Sequence, residues 1–157
     1  MSASWTGHGW SEPLTNAEQQ ALGLGTRKRW YRFRNDPDDR LTLWVDGVGH
    51  RVQDDLLHDY GSIPPQIQGW PFMGRWFSKD SYPRAVVPHD AGYDTRVKGE
   101  EHTLWISRDG GETWAKEAVT RETADNLLRV GIVAEGGPSW VARTYYWFVC
   151  RFGGLYW

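Results

Sequence analysis

Between Asp54 and Asp80 the chain reads DDLLHDYGSIPPQIQGWPFMGRWFSKD, whose prolines and glycines forbid both a long helix and a central strand. Regular structure must therefore be built on either side of it. The block itself is expected to be a structured loop packed by Ile63, Trp70, Phe72, Trp76 and Phe77.

Upstream, KRWYRFR, NDPDD and RLTLWVDGVGHRV alternate aromatic and aliphatic residues around a turn of Asn, Asp and Pro. This pattern predicts two or three antiparallel strands, with Trp30 and either Phe33 or Tyr31 choosing the faces. Residues 1–26 mix Ser, Gly, Thr and Pro, and only Asn16 to Leu22 has the makings of a short helix. They read as an arm or cover whose Trp5 and Trp10 dock elsewhere.

Downstream, SYPRAVVPHDAGYD opens with Ser81 as an expected N-cap and Pro83 in the first turn, while Pro88 predicts a kink or break just before His89. HTLWISRDGGETWAKEAV predicts a β-hairpin turning at Arg108-Asp109-Gly110-Gly111. Thr120 is the expected cap of a helix to about Ala134, with Ala124, Leu127, Leu128 and Gly131 as its apolar stripe and Gly136-Gly137 as its stop. A last helix is expected from Ser139 to about Arg151, with Val141, Tyr145, Phe148 and Phe152 on one side and Trp140, Thr144 and Trp147 on the other. The fold class is α+β: a small N-terminal antiparallel sheet, a Pro/Gly/aromatic loop, and three helices with an inserted hairpin. Residues 27–157 form one domain behind the 1–26 arm, in keeping with a length of 157 residues.

Composition narrows the function. Eighteen Lys and Arg stand against 20 Asp and Glu with no basic arm or acidic tail, so nucleic-acid binding and membrane-surface binding by bulk charge are not expected. No apolar window is long enough to span a membrane, and MSASWTGHGWSEPL lacks the pattern of a signal peptide. A single cysteine, Cys150, excludes an intramolecular disulfide and a cysteine-based zinc cage. Eleven tryptophans with seven tyrosines and five phenylalanines imply either an aromatic core or an extensive contact surface.

Ser107-Arg108-Asp109-Gly110-Gly111-Glu112-Thr113-Trp114 resembles the Asp-box of sialidases and other β-propellers. The motif occurs once, whereas a propeller repeats its blades, so only a hairpin is expected from it.

Ionisable groups concentrate in three places: His58-Asp59-Tyr60-Gly61-Ser62, His89-Asp90-Ala91-Gly92-Tyr93, and Arg121 with Asp125. His58, His89, Asp90 and Asp125 are candidate ligands of a divalent metal, Zn or Mn, which would activate a bound water. Their order resembles that of the ligands in the HD phosphohydrolases. Asp59, His89, Asp90 and Asp125 are the candidate catalytic residues, with Asp59 as base or fourth ligand. Without metal, a His–Asp pair could orient an imidazole as general base, with Ser62 as the candidate nucleophile, although no Gly-x-Ser-x-Gly elbow surrounds it. Each group also has a purely structural account: Asp59 capping its own turn, Arg121 pairing with Asp125 along one helix, and His89 and Asp90 bonding backbone freed by Pro88.

HDYGSIPP at 58–65, AVVPHDAGYD at 85–94 and the helix with Arg121 and Asp125 together resemble DUF1353, a family of tailed-bacteriophage and prophage proteins. The matching positions are Asp59, Ser62, Pro64, His89, Asp90, Tyr93, Arg121 and Asp125. The resemblance covers roughly Leu43 to Gly153, with the hairpin at Asp109 as an apparent insertion. It departs at Pro88, where the family usually shows an aliphatic residue, and at Ala91, where it shows a bulkier one. The resemblance implies a phage setting, either the virion or the host bacterial cytoplasm during assembly, and assigns no reaction.

Two function classes follow. One is a structural or assembly component of the virion, in the tail or baseplate region, docking on other phage proteins or on itself. Tryptophan richness and Trp-bearing ends (Trp5, Trp10, Trp157) favour it. The other is a small metal-dependent hydrolase acting on cell-wall peptide or a phosphoester.

Overall fold

The computed structural model describes residues 2–25, 27, 29–59, 76–77, 81–94 and 102–153. These form eight strands and four helices: β1 (Ala3–Thr6), β2 (Gly9–Pro13), α1 (Asn16–Ala21), β3 (Tyr31–Asn35), β4 (Thr42–Val45), β5 (Val48–Arg51), β6 (Leu57–His58), α2 (Pro83–Gly92), β7 (Thr103–Ser107), β8 (Ala115–Ala118), α3 (Arg121–Ala134) and α4 (Ser139–Phe152). The strands make two antiparallel sheets, ordered β1-β4-β5-β7-β8 and β2-β3-β6, so the α+β class expected from the sequence is the one found. Among the described residues no helix is long and apolar enough to cross a membrane.

Residues 2–25 lie against the rest of the fold, supplying an edge strand to each sheet. Ala3 lies opposite Val45 and Gly9 opposite Asn35. Between the two strands Gly7 takes φ +75°, and a Cβ there would stand 2.1 Å from the Arg40 carbonyl oxygen, so only glycine fits the crossing. Trp5 anchors the segment by donating its indole N–H to the Gly131 carbonyl at 3.2 Å on α3. The short helix falls where its sequence places it, with Thr15 and Glu18 forming a reciprocal capping box.

The strands read from KRWYRFR onward all exist, but β3 belongs to the small sheet while β4 and β5 pair in the large one. The expected hairpin is β7–β8, with the Asp-box residues bonding locally. Ser107 Oγ donates to Asp109 at 2.7 Å, the Thr113 N–H donates to Asp109 at 3.0 Å, and Gly110 and Gly111 take φ of +76° and +99°. It is no appended insertion: β7 pairs with β5 and buries Leu104 and Ile106 in the core. Trp114, at its base, stacks under the Arg51 guanidinium at 3.8 Å.

One apolar cluster lies between the sheets and the helices, with Phe33, Leu43, Leu104, Val87 and Leu127 among its members. A second lies among the helices, built on Ala85, Leu128, Ile132, Val141 and Tyr145 with Phe77. Full burial of each large side chain contributes about 1.5–3 kcal/mol. Helix α3 matches its expected bounds, with Thr120 accepting from the Thr123 N–H and all four stripe residues buried.

Helix α2 departs from expectation twice. Ser81 does not cap it; the Glu135 carboxylate at the end of α3 accepts the Arg84 and Ala85 N–H groups at 3.3 and 3.1 Å. Nor does Pro88 break it, for the helix runs on to Gly92. The bond that Pro88 forgoes belongs to Arg84, in the exposed first turn, and its own ring is buried. The Pro- and Gly-rich block contributes β6 at the edge of the small sheet and the buried Phe77, with Trp76 half-buried. Ile63, Trp70 and Phe72 lie outside the described residues.

Helices α2 and α3 meet at small residues. A Cβ on Gly92 would stand 2.6 Å from Ala124 Cβ. Gly92→Ala should therefore destabilise by about 1–3 kcal/mol in urea unfolding, although glycine-to-alanine changes inside helices ordinarily stabilise. A stabilised variant would show that the two helices do not approach this closely.

Candidate functional site

The polar residues singled out along the sequence meet where β6, α2 and α3 converge. His58 points inward from β6 and its side chain is fully enclosed. On α2, His89 and Tyr93 are one turn apart and share a face, and Asp90 sits beside them. On α3, Arg121 and Asp125 are likewise one turn apart.

These side chains form a chain of contacts. His58 Nδ1 lies 3.8 Å from Asp90 Oδ2, and Asp90 Oδ1 lies 3.3 Å from His89 Nδ1. His89 Nε2 lies 3.4 Å from Asp125 Oδ1, which also accepts the Tyr93 hydroxyl proton at 2.7 Å. The Arg121 Nε stands 3.6 Å from Asp125 Oδ2, and its Nη2 donates to the carbonyls of Val149 (3.2 Å) and Cys150. Those carbonyls belong to the last turn of α4, where backbone acceptors lack helical partners, so a guanidinium is well placed there. One polar thread thus ties β6, α2, α3 and α4 together.

A carboxylate faces each ring nitrogen of His89, and both contacts become donating bonds only when the imidazole carries both protons. Burial alone would lower its pKa, but the bonds to Asp125 and Asp90 outweigh burial and raise it. For Asp125 burial acts in the opposite sense; the bonds from His89 and Tyr93 and the nearby Arg121 charge prevail and hold it below the usual carboxylate range. Burial and the Asp125 charge push the Tyr93 phenol well above its ordinary value. When His89 is protonated, it and Arg121 set two positive charges beside the side chains of Asp90 and Asp125.

Within the ligand set expected from the sequence the nearest approaches are 3.3–3.8 Å. His58 Nδ1 faces Asp90, and the two ring nitrogens of His89 face Asp90 and Asp125, so these contacts run in sequence rather than around a common centre. Among the described residues no group of three or more His, Cys, Asp or Glu side chains could hold a metal ion. Asp59 follows directly on β6 and is half-buried. Ser62 and Pro64 lie outside the described residues, so their expected roles as nucleophile and motif residue are not placed.

One participant was missed. The Ser11 hydroxyl on β2 bonds His58 Nε2 at 2.8 Å, and the Tyr31 ring packs 5.8 Å from the same imidazole. Nothing near Ser11 in sequence announces it: β2 reaches His58 only because β3 pairs with β2 on one side and β6 on the other.

The network sets a pH window for stability. His89, with its raised folded-state pKa, contributes in full below its ordinary value of 6.5, and this is lost as pH rises through the folded value. Asp125, with its lowered pKa, contributes above its ordinary 3.8, and this is lost as pH falls through the folded value. Thermal melts should therefore fall from about pH 5.5 to about pH 8.5, and His89→Gln should flatten that fall. Asp125→Ala should cost about 3–5 kcal/mol at neutral pH by stranding a buried cation. A wild-type melt indifferent to pH over this range would contradict the charged His89. No family model, curated protein or solved structure matches the chain, so the site is read from its own residues.

Proposed function

We propose that the chain is a structural or assembly component of a tailed-bacteriophage virion, of the tail or baseplate region, that docks through the outer face of α4. The observation that carries this reading is what that face exposes. Trp147 is 58% exposed and Trp140 47%, on a helix whose sequence SWVARTYYWFVCRF holds two arginines and no acid, and Phe152, 45% exposed, adds a ring at the helix end. Trp147 packs edge-on against Phe148 and Phe152, making one aromatic ridge.

Exposed tryptophan and arginine are the side chains that most often anchor protein interfaces, since they offer large apolar area with few rotamers to freeze. The opposite face of α4 buries Val141, Ala142 and Tyr145 in the core, so the helix presents its rings from a rigid base. Trp10, 48% exposed on β2, adds a further ring at a sheet edge. The phage setting rests on the motif at His58–Pro65, Ala85–Asp94 and Arg121–Asp125. The partner is another phage protein or a second copy.

Particles purified from the phage or prophage that encodes the chain should contain it by quantitative mass spectrometry. Trp147→Ser with Trp140→Ser should lower incorporation at least tenfold while leaving the melting temperature within a few degrees, as surface changes do. Particles that lack the wild-type chain would overturn the reading.

A further inference from the structure

Ser11, His58 and Asp90 are brought together by three elements that are far apart in sequence. Ser11 Oγ lies 2.8 Å from His58 Nε2, and His58 Nδ1 lies 3.8 Å from Asp90 Oδ2. A hydroxyl on one imidazole nitrogen and a carboxylate facing the other is the arrangement by which an imidazole takes a proton from a serine. From it we propose that Ser11 is a nucleophile, His58 its general base and Asp90 a positioning residue, in a site that hydrolyses carboxylic esters. This goes beyond the docking role and does not depend on it.

The surroundings suit each part. Ser11 is half-buried on an edge strand, and the His58 side chain it bonds is fully enclosed. Asp90 uses its other oxygen, Oδ1, on His89, which leaves Oδ2 on the side of His58. A His58 tautomer with hydrogen on Nδ1 would turn that hydrogen toward Asp90 and leave Nε2 to accept from Ser11. Catalytic contacts are often long in the free protein and tighten when substrate binds, so at 3.8 Å the proposal requires Asp90 and His58 to draw together in the complex. Tyr31 lies against the imidazole and limits its tilt.

The reaction balances within this set and one water. Ser11 Oγ attacks the ester carbonyl carbon while its proton passes to His58 Nε2. The bond to the leaving oxygen breaks as His58 returns that proton to it, releasing an alcohol and an acyl-Ser11 ester. Water then attacks the acyl carbon, giving its proton to His58, and the carboxylic acid leaves as Ser11 Oγ is reprotonated. Among the described residues His58 is the acid–base group bonded to Ser11, and must serve both half-reactions. An ester, whose leaving oxygen needs less protonation than an amide nitrogen, is the substrate class this favours.

The full chain treated with a fluorophosphonate should gain one adduct by intact mass, with loss of fluoride, and peptide mapping should place it on Ser11. It should hydrolyse p-nitrophenyl butyrate, with kcat/KM falling on the order of a thousandfold in Ser11→Ala and His58→Gln. Asp90→Asn should lower kcat with KM unchanged, as expected of a group that orients the base. Mapping on the wild-type protein needs no variant to fold, and circular dichroism checks the variants. An unlabelled wild type with only background hydrolysis would overturn the proposal, as would an adduct on another residue, or labelling of Ser11→Ala at the wild-type rate. A serine that merely satisfies a buried imidazole would give the first result. The particle assay reads α4 alone, so either reading can fail without the other.

Discussion

His89 sits between two carboxylates in the interior, Asp90 at 3.3 Å and Asp125 at 3.4 Å, and much of the helical half of the protein is arranged around that fact. A buried charge is tolerable only when its partners are in place, because desolvation is repaid by contacts of good geometry or not at all. Asp125 can reach His89 only if α3 lies close against α2. That approach is possible because Gly92 meets Ala124 and Gly131 meets Ala85, with no larger side chain to hold the backbones apart. Arg121 then extends the same constraint to the end of α4, and Asp90 extends it to β6.

The thread has a dry end and a more accessible one. Its dry end is Asp125, enclosed by Tyr93 and Arg121, where both carboxylate oxygens are engaged. At the other end His58 meets the half-buried hydroxyl of Ser11. Structural and chemical roles can be divided along it: His89, between Asp90 and Asp125, ties the two helices together, and Asp90 is the group shared with His58. Trp140 and Trp147 stand on the opposite side of α4 from its buried residues, so docking and chemistry draw on different surfaces.

Much of the fold was legible because it is specified locally. Helix α3 carries its own cap at Thr120, its own stripe and its own glycine stop, and its observed bounds follow from them. The β7–β8 turn is equally self-contained, since Asp109 bonds neighbours within four residues. Local logic did not show β1 and β2, which are short strands with little alternation to read and whose partners lie 18 or more residues away. It misled at Ser81 and Pro88, because the true cap of α2 is Glu135, about fifty residues on, and burial offsets the proline's lost bond.

The sequence by itself determined the mixed class, the hairpin, the two long C-terminal helices, and the set of polar residues worth watching. His89, Asp90, Tyr93, Arg121 and Asp125 do meet. Which atoms face which was decided by tertiary structure alone. Side-chain pairing across elements depends on sheet order and helix approach, not on spacing along the chain. That is why donors that could be read as metal ligands are instead paired with one another, and why a serine on β2 sits on a histidine 47 residues away.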